Sequence, residues 1–213
     1  ITGSALILSV LIAVPIGVLS AIKQYSFFDQ SATTFAFLGF SLPTFFTGLL
    51  FILLFSVKLD WLPFVYDAQV TDFWEKVKQS AMPIAVLGLA GAAQLMRFVR
   101  ASMLETISQD YVRTARAKGL RERVTIWGHA LPNALIPVVT VIGLSYSNLL
   151  SGAVLTESIF AWPGIGRYMF RASTSQHFPA IMGGSIVIAL IYVGVNFVVD
   201  ILYYFIDPRI RLA

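Results

Sequence analysis

Residues 49–55 read Leu49-Leu50-Phe51-Ile52-Leu53-Leu54-Phe55, apolar on every side. A half-buried strand would alternate apolar with polar residues, and the strands of a membrane barrel show that alternation over segments of about ten residues. This run does not alternate. In hydrocarbon a segment must satisfy its own backbone hydrogen bonds, so the run reads as helix. Working outward, no charged residue occurs between Thr33 and Val57. Four further runs are also free of charge: Ile1–Ile22, Ser80–Met96, Ala130–Thr156 and Phe178–Val199. A spanning helix needs about 20 mostly apolar residues; the run from Ser80 is the short one and reaches that length if Arg97 or Arg100 snorkels to the interface. The expectation is an all-α polytopic membrane protein with five transmembrane helices, over approximately 1–22, 33–57, 80–100, 132–156 and 180–206, in a single domain covering 1–213.

Composition agrees. Of 213 residues, 57% are hydrophobic and 12% charged, and the mean hydropathy is +0.79. Soluble domains carry about 25% charge, so this chain could not cover a water-facing surface, and a soluble enzyme or a disordered chain is excluded. The net charge of +4 is scattered among apolar runs, which suits a membrane rather than nucleic acid. With no cysteine, disulfides, thiolate metal sites and cysteine catalysis drop out.

The basic residues give an orientation. Connections alternate between two sides of the bilayer. One side holds residues 23–32, 97–129 and 207–213, with Lys23, Arg97, Arg100, Arg113, Arg116, Lys118, Arg121, Arg123, Arg209 and Arg211. The other side, 58–79 and 157–179, holds Lys58, Lys76, Lys78, Arg167 and Arg171. The bias toward positive residues inside places the first side, and the C-terminus, in the cytoplasm. The chain starts directly at a span without a positive n-region. A preceding helix is therefore expected, making six in the full chain.

Within the spans, Pro15, Pro43, Pro83 and Pro137 each free a carbonyl and bend their helix. Gly143, Ser147 and Ser151 form a small-residue stripe for close helix packing, and Gly88 with Ala92 a shorter one. Asn196 and Asp200 lie one turn apart in the last span. A carboxylate at that depth is normally paired, so Asp200 is expected to form a structural pair with Arg97 or Arg100 at the same level. A proton relay is the lesser reading, because no second acidic residue lies within any span.

The stretch from Arg97 to His129 is long for a connection and basic. Its centre is Asp110-Tyr111-Val112-Arg113-Thr114-Ala115-Arg116-Ala117-Lys118-Gly119-Leu120. As helix, it places Ala115 and Gly119 on one nearly bare face. Gly119 makes a helix stop, and Leu131-Pro132 starts the next helix. A short cytoplasmic helix with a bare face suits a cleft on another protein; a basic helix lying on anionic lipid is equally compatible.

The spacing Ala115-x-x-x-Gly119 followed by Leu131-Pro132 resembles the EAA loop of binding-protein-dependent ABC importer permeases, here over 104–131. Arg113-Thr114 replaces that signature's Glu-Ala, and His129 its Ile. The variant Tyr111–Leu120 is similar to the dipeptide, oligopeptide and nickel subfamily, as is His129-Ala130-Leu131-x-Asn133-Ala134-Leu135-Ile136-Pro137. Gly152–Gly166, including Glu157, Trp162, Pro163 and Gly164, matches that subfamily's external stretch. Asn196-x-x-x-Asp200 and Asp207-Pro208-Arg209-Ile210-Arg211 match its C-terminal end.

The resemblance implies the passive half of a pump in a bacterial or archaeal cytoplasmic membrane. Its partners would be a second permease, two ATPases and an external solute-binding protein. Arg113, Thr114, Ala115, Arg116, Ala117, Lys118, Gly119, Leu131 and Pro132 would form the ATPase-coupling site. Trp162, Pro163, Gly164 and Gly166 would form an outer gate or a tight turn near the binding protein. The chain has no GxxxxGK[ST] phosphate loop, so ATP and Mg would bind to the partner ATPases and no cofactor to this chain. Its two histidines, His129 and His177, fall on opposite sides, which leaves no nucleophile–base pair. A secondary transporter or channel is the alternative, separated by whether transport needs ATP.

Overall fold

The computed structural model describes the backbone of residues 1–206, and their side chains apart from 146–152, 200 and 202–206. The described residues form helices and connections without strands. In order, these are α1 (Thr2–Ile22), α2 (Phe27–Ser41) and α3 (Thr44–Phe51), the last continuing through π-helical turns at Ile52–Lys58. Then come α4 (Phe73–Ile107), α5 (Asp110–Ala117) and α6 (Glu122–Val124). A π-helical stretch, Thr125–Ala130, leads into α7 (Leu131–Ile159), followed by α8 (Ile165–Thr174) and α9 (Phe178–Ile206).

Four stretches among the described residues are long and apolar enough to cross a membrane: Thr2–Ile22, Phe73–Ile107, Glu122–Ser145 and Phe178–Val199. The fifth expected span, 33–57, is not one straight helix. Its two arms, Phe27–Ser41 and Thr44–Lys58, are bent by 102° relative to one another, and the number of spans is five if they count as one. The cause is local. Pro43 has no N–H to continue the ladder, and a residue before proline is pushed out of the α region. Leu42 accordingly sits at φ −86°, ψ 128°.

Small residues bring the helices together, as they must where lipid is as apolar as the side chains. A Cβ on Gly17 would stand 2.8 Å from Val99 Cβ, and one on Gly88 2.7 Å from Leu8 Cδ2. Ser9 Oγ donates to the Gly88 carbonyl at 2.8 Å, which fixes α1 against α4. Gly143, the first member of the small-residue stripe, receives Val199 of α9, 2.9 Å from where its Cβ would be. The side chains of Ser147 and Ser151 lie outside the described residues.

The bundle has two distinct ends. At one, Ser102 Oγ of α4 donates to the Ala134 carbonyl of α7 at 2.7 Å, and Met103, Val112, Ile126 and Ala130 share one buried core. At the other, the Tyr66 N–H donates to the Phe160 carbonyl at 3.2 Å, and the rings of Tyr66 and Trp162 meet edge to face at 4.9 Å. Arg100 of α4 also holds Asp29 at the start of α2, so the first and third connections share an end, and Tyr66 with Phe160 brings the second and fourth together at the other. The 35 residues of α4 run about 50 Å at about 1.5 Å per residue, well beyond a hydrocarbon core of about 30 Å. Its charge-free part is Ser80–Met96, so turns extend beyond that part at both ends, the longer extension being at the α5 end.

Candidate functional site

The projecting end of α4 turns at Ser108-Gln109 into α5, which stops after two turns. Gly119 has φ +77° with nothing within 4 Å of a would-be Cβ. The Gly119 N–H donates to the Arg116 carbonyl at 2.9 Å and the Leu120 N–H to the Ala115 carbonyl at 3.3 Å. That bond pair, with a left-handed residue just past the helix, is a Schellman stop. Arg116 then reaches forward and holds Glu122 with two hydrogen bonds, 3.1 Å from Nε and 2.7 Å from Nη2. The hydrogen-bonded carboxylate raises the pKa of the Arg116 guanidinium further above its usual value.

This geometry corrects the expectation of one bare outward face carrying both Ala115 and Gly119. Ala115 is only 8% exposed and, with Val112 at 0%, faces the chain's own core. Gly119 lies beyond the helix and is glycine for its backbone angle. The face that α5 turns outward carries Arg113, Thr114, Ala117 and Lys118, all exposed. Arg113 makes a 3.6 Å ion pair with Asp110, both well exposed, a pair of little energetic weight. Leu131 packs against the core while Pro132 is exposed. Pro132 has no N–H to offer the Gly128 carbonyl, so the regular ladder is already interrupted where the wide π-turns form.

The expected pair of Asp200 with Arg97 or Arg100 lies outside the described residues on its Asp200 side. The guanidinium of Arg100 is engaged by Asp29, 2.7 Å from Nε to Oδ1 and 2.8 Å from Nη2 to Oδ2. Arg97 lies over the rings of Phe37 and Phe40, 4.9 and 5.8 Å from their centroids, a cation–π arrangement. Asn196 Nδ2 donates to the Tyr192 carbonyl of its own helix at 2.9 Å; the side chain of Asp200 lies outside the described residues. Asp29, at 3% exposure, was not singled out in the sequence. The available signal was Ser26-x-x-Asp29 opening an apolar run, a helix-start pattern, and Ser26 Oγ does accept from the Asp29 N–H.

At the opposite end, Trp162, Pro163, Gly164 and Gly166 build the turn between α7 and α8. Glu157, 3% exposed, is the residue sequence reasoning passed over there. Its carboxylate accepts from the Arg167 N–H at 2.9 Å, in the first turn of α8. It occupies the space a side chain on Gly164 would need, and a Cβ on Gly166 would also crowd it. Arg167 closes the turn by donating to the Ala161 carbonyl. Two glycines spaced after a glutamate are the sequence signal for this cradle. Among the described residues no cluster of His, Asp or Glu could hold a metal ion.

The family described as binding-protein-dependent transport system inner membrane component matches residues 13–212. Dipeptide transport system permease protein DppB of Alkalihalophilus pseudofirmus is 42% identical, over 99% of this chain and 70% of its own length. The protein of that name from Escherichia coli is 40% identical over 97% and 68%. Oligopeptide transport system permease protein AppB of Bacillus subtilis is 39% identical over 96% and 66%. The chain thus spans roughly two thirds of these relatives. A chain from the crystal structure of an amino acid ABC transporter with histidines shares the fold, with a TM-score of 0.65 at 13% identity, over 95% of this chain and 89% of that one. With the match running through the bundle, α5 and the α7–α8 turn alike, this chain belongs to the family of binding-protein-dependent transport system inner membrane components, the permeases of ABC importers.

Proposed function

We propose that the chain is a permease subunit for short peptides, driven by ATP hydrolysis on two separate ATPase subunits. The observation that carries this reading is identity of 39–42% with peptide permeases along 96–99% of the chain. Two such permeases would enclose the path, and an external binding protein would deliver the peptide near Trp162 and Pro163. The outward face of α5 would seat in the ATPase, with Ala117 supplying its bare patch and Arg113 and Lys118 its charge. Ala115 supports that face from behind, and Gly119 with Arg116–Glu122 fixes its end. The basic end carrying α5 is cytoplasmic by the charge bias, in a bacterial or archaeal cytoplasmic membrane. A related solute such as nickel, which the resemblance implies, is the alternative cargo. The test is uptake of labelled dipeptide by vesicles containing the complete complex. Uptake is expected only with ATP and all partners present. Uptake driven by an ion gradient without ATPases would overturn the reading in favour of a secondary transporter.

A further inference from the structure

The inner arm of the bent pair, α2, has one firm polar anchor; Arg97 over Phe37 and Phe40, and Ala93 against Gly39, are its further contacts with α4. Only Asp29 and Ala36 of its residues are buried. Between α2 and its neighbours lies an apolar cavity of about 570 Å³, lined by residues including Ile16, Phe35, Leu42, Phe51 and Met96. The firm point is Asp29. Its carboxylate takes both Arg100 bonds, the Ser20 hydroxyl and the Tyr25 N–H at 2.9 Å. Ser20 is wholly buried at the end of α1, and Arg100 stands two turns before the end of α4. Gly17 against Val99, one position from Arg100, makes the α1–α4 contact too close to slide.

We propose that the Asp29–Arg100 pair is a positioning linkage, tying the inner arm of the bent pair to the helix that carries the coupling segment, so that a displacement of α5 turns α2 about Asp29. This rests on the reading of α5 as the ATPase-docking element. A two-bond guanidinium–carboxylate contact fixes direction as well as distance, which an apolar contact would not. The cavity leaves α2 room to move about that anchor. Beyond the bend, Gly48 of α3 lies against the Phe160 ring, 3.4 Å from where its Cβ would stand. The Phe160 carbonyl in turn holds Tyr66, whose ring packs on Trp162. Asp29 and Arg100 are therefore the first link of a route from the coupling end along the bent pair to Phe160, and through Tyr66 to Trp162 of the outer turn.

The experiment compares peptide uptake per ATP hydrolysed in vesicles containing the complete complex. Asp29→Asn is expected to retain both ATPases and hydrolysis within about twofold, while uptake per ATP falls about tenfold, the size of an ordinary coupling loss. Arg100→Lys keeps the charge without the fork and should fall between. Asp29→Glu keeps a carboxylate that can accept from Arg100, Ser20 and Tyr25, and should hold the ratio to within about threefold of the parent protein. An unchanged ratio in Asp29→Asn, whatever the absolute rates, overturns the linkage. So does loss of both Asp29→Asn and Arg100→Lys from the membrane, which would assign the pair to folding alone. Ala117→Trp separates the two readings: if it releases the ATPases while Asp29→Asn transports normally, docking stands and the linkage falls. If Ala117→Trp changes nothing, the docking reading itself fails.

Discussion

Gly119 and Gly164 are both glycine for physical reasons, and the reasons differ. At Gly119 the backbone is left-handed with open space around it. Gly119→Ala should therefore cost only about 1 kcal/mol of conformational strain. At Gly164 the Glu157 carboxylate fills the place of a side chain, so Gly164→Ala must displace a buried charge and should cost about 1–3 kcal/mol or more. Thermal unfolding of the purified protein in detergent orders the two, and a larger loss at Gly119 would contradict the cradle. The two alanines of α5 make a similar contrast. Ala115→Trp places a large ring in the core beside Val112 and should reduce folded protein, whereas Ala117→Trp should accumulate normally. The spacing of Ala115 and Gly119 was legible in the sequence, but its meaning was not. Four residues apart places two side chains on one face only if the helix continues, and Gly119 itself ends it. Asp29 shows the same limit: the sequence argument ran from Asp200, a carboxylate needing a basic partner, and only packing reveals that Arg100 is held by Asp29.

At the scale of elements, the bent pair α2–α3 is the main departure from what hydropathy predicts. An uncharged run from Thr33 to Val57 has the length of a span, and hydropathy is blind to the direction of its axis. The clue was Pro43 with Leu42 before it, which predicts a bend without its size. At about 1.5 Å per residue, a straight helix would place positions 34 and 57 about 35 Å apart, and a 102° bend at position 43 about 23 Å. The absence of native cysteine allows spin labels at Thr34→Cys and Val57→Cys alone. Pulsed electron spin resonance should return the shorter distance; the longer would mean one straight span. The other helices follow from length and apolarity alone, because each is continuous through its prolines. At Pro15, Pro83 and Pro137 the ladder loses one bond, yet helix continues on both sides of each.

For the whole molecule, charge-free runs and the basic bias were enough to sort the connections into two groups, and among the described residues the structure brings Asp29 to Arg100 at one end and Tyr66 to Phe160 at the other. Impermeant thiol reagent applied to intact cells should label Phe64→Cys and Tyr168→Cys but not Ala117→Cys; labelling at 117 would invert the orientation. What connects the two ends, from Arg100 and Asp29 through Phe160 to Trp162, could not be read from the sequence, since it joins residues far apart in the chain. The outward face of α5 is proposed to meet an ATPase. A photoreactive cross-linker attached at Ala117→Cys in the assembled complex is the sharpest probe of that contact. A covalent adduct with an ATPase subunit is expected, and it should disappear when the linker is moved to the buried position Ala130→Cys. An adduct with lipid alone, in complexes that still hydrolyse ATP in response to peptide, would contradict it.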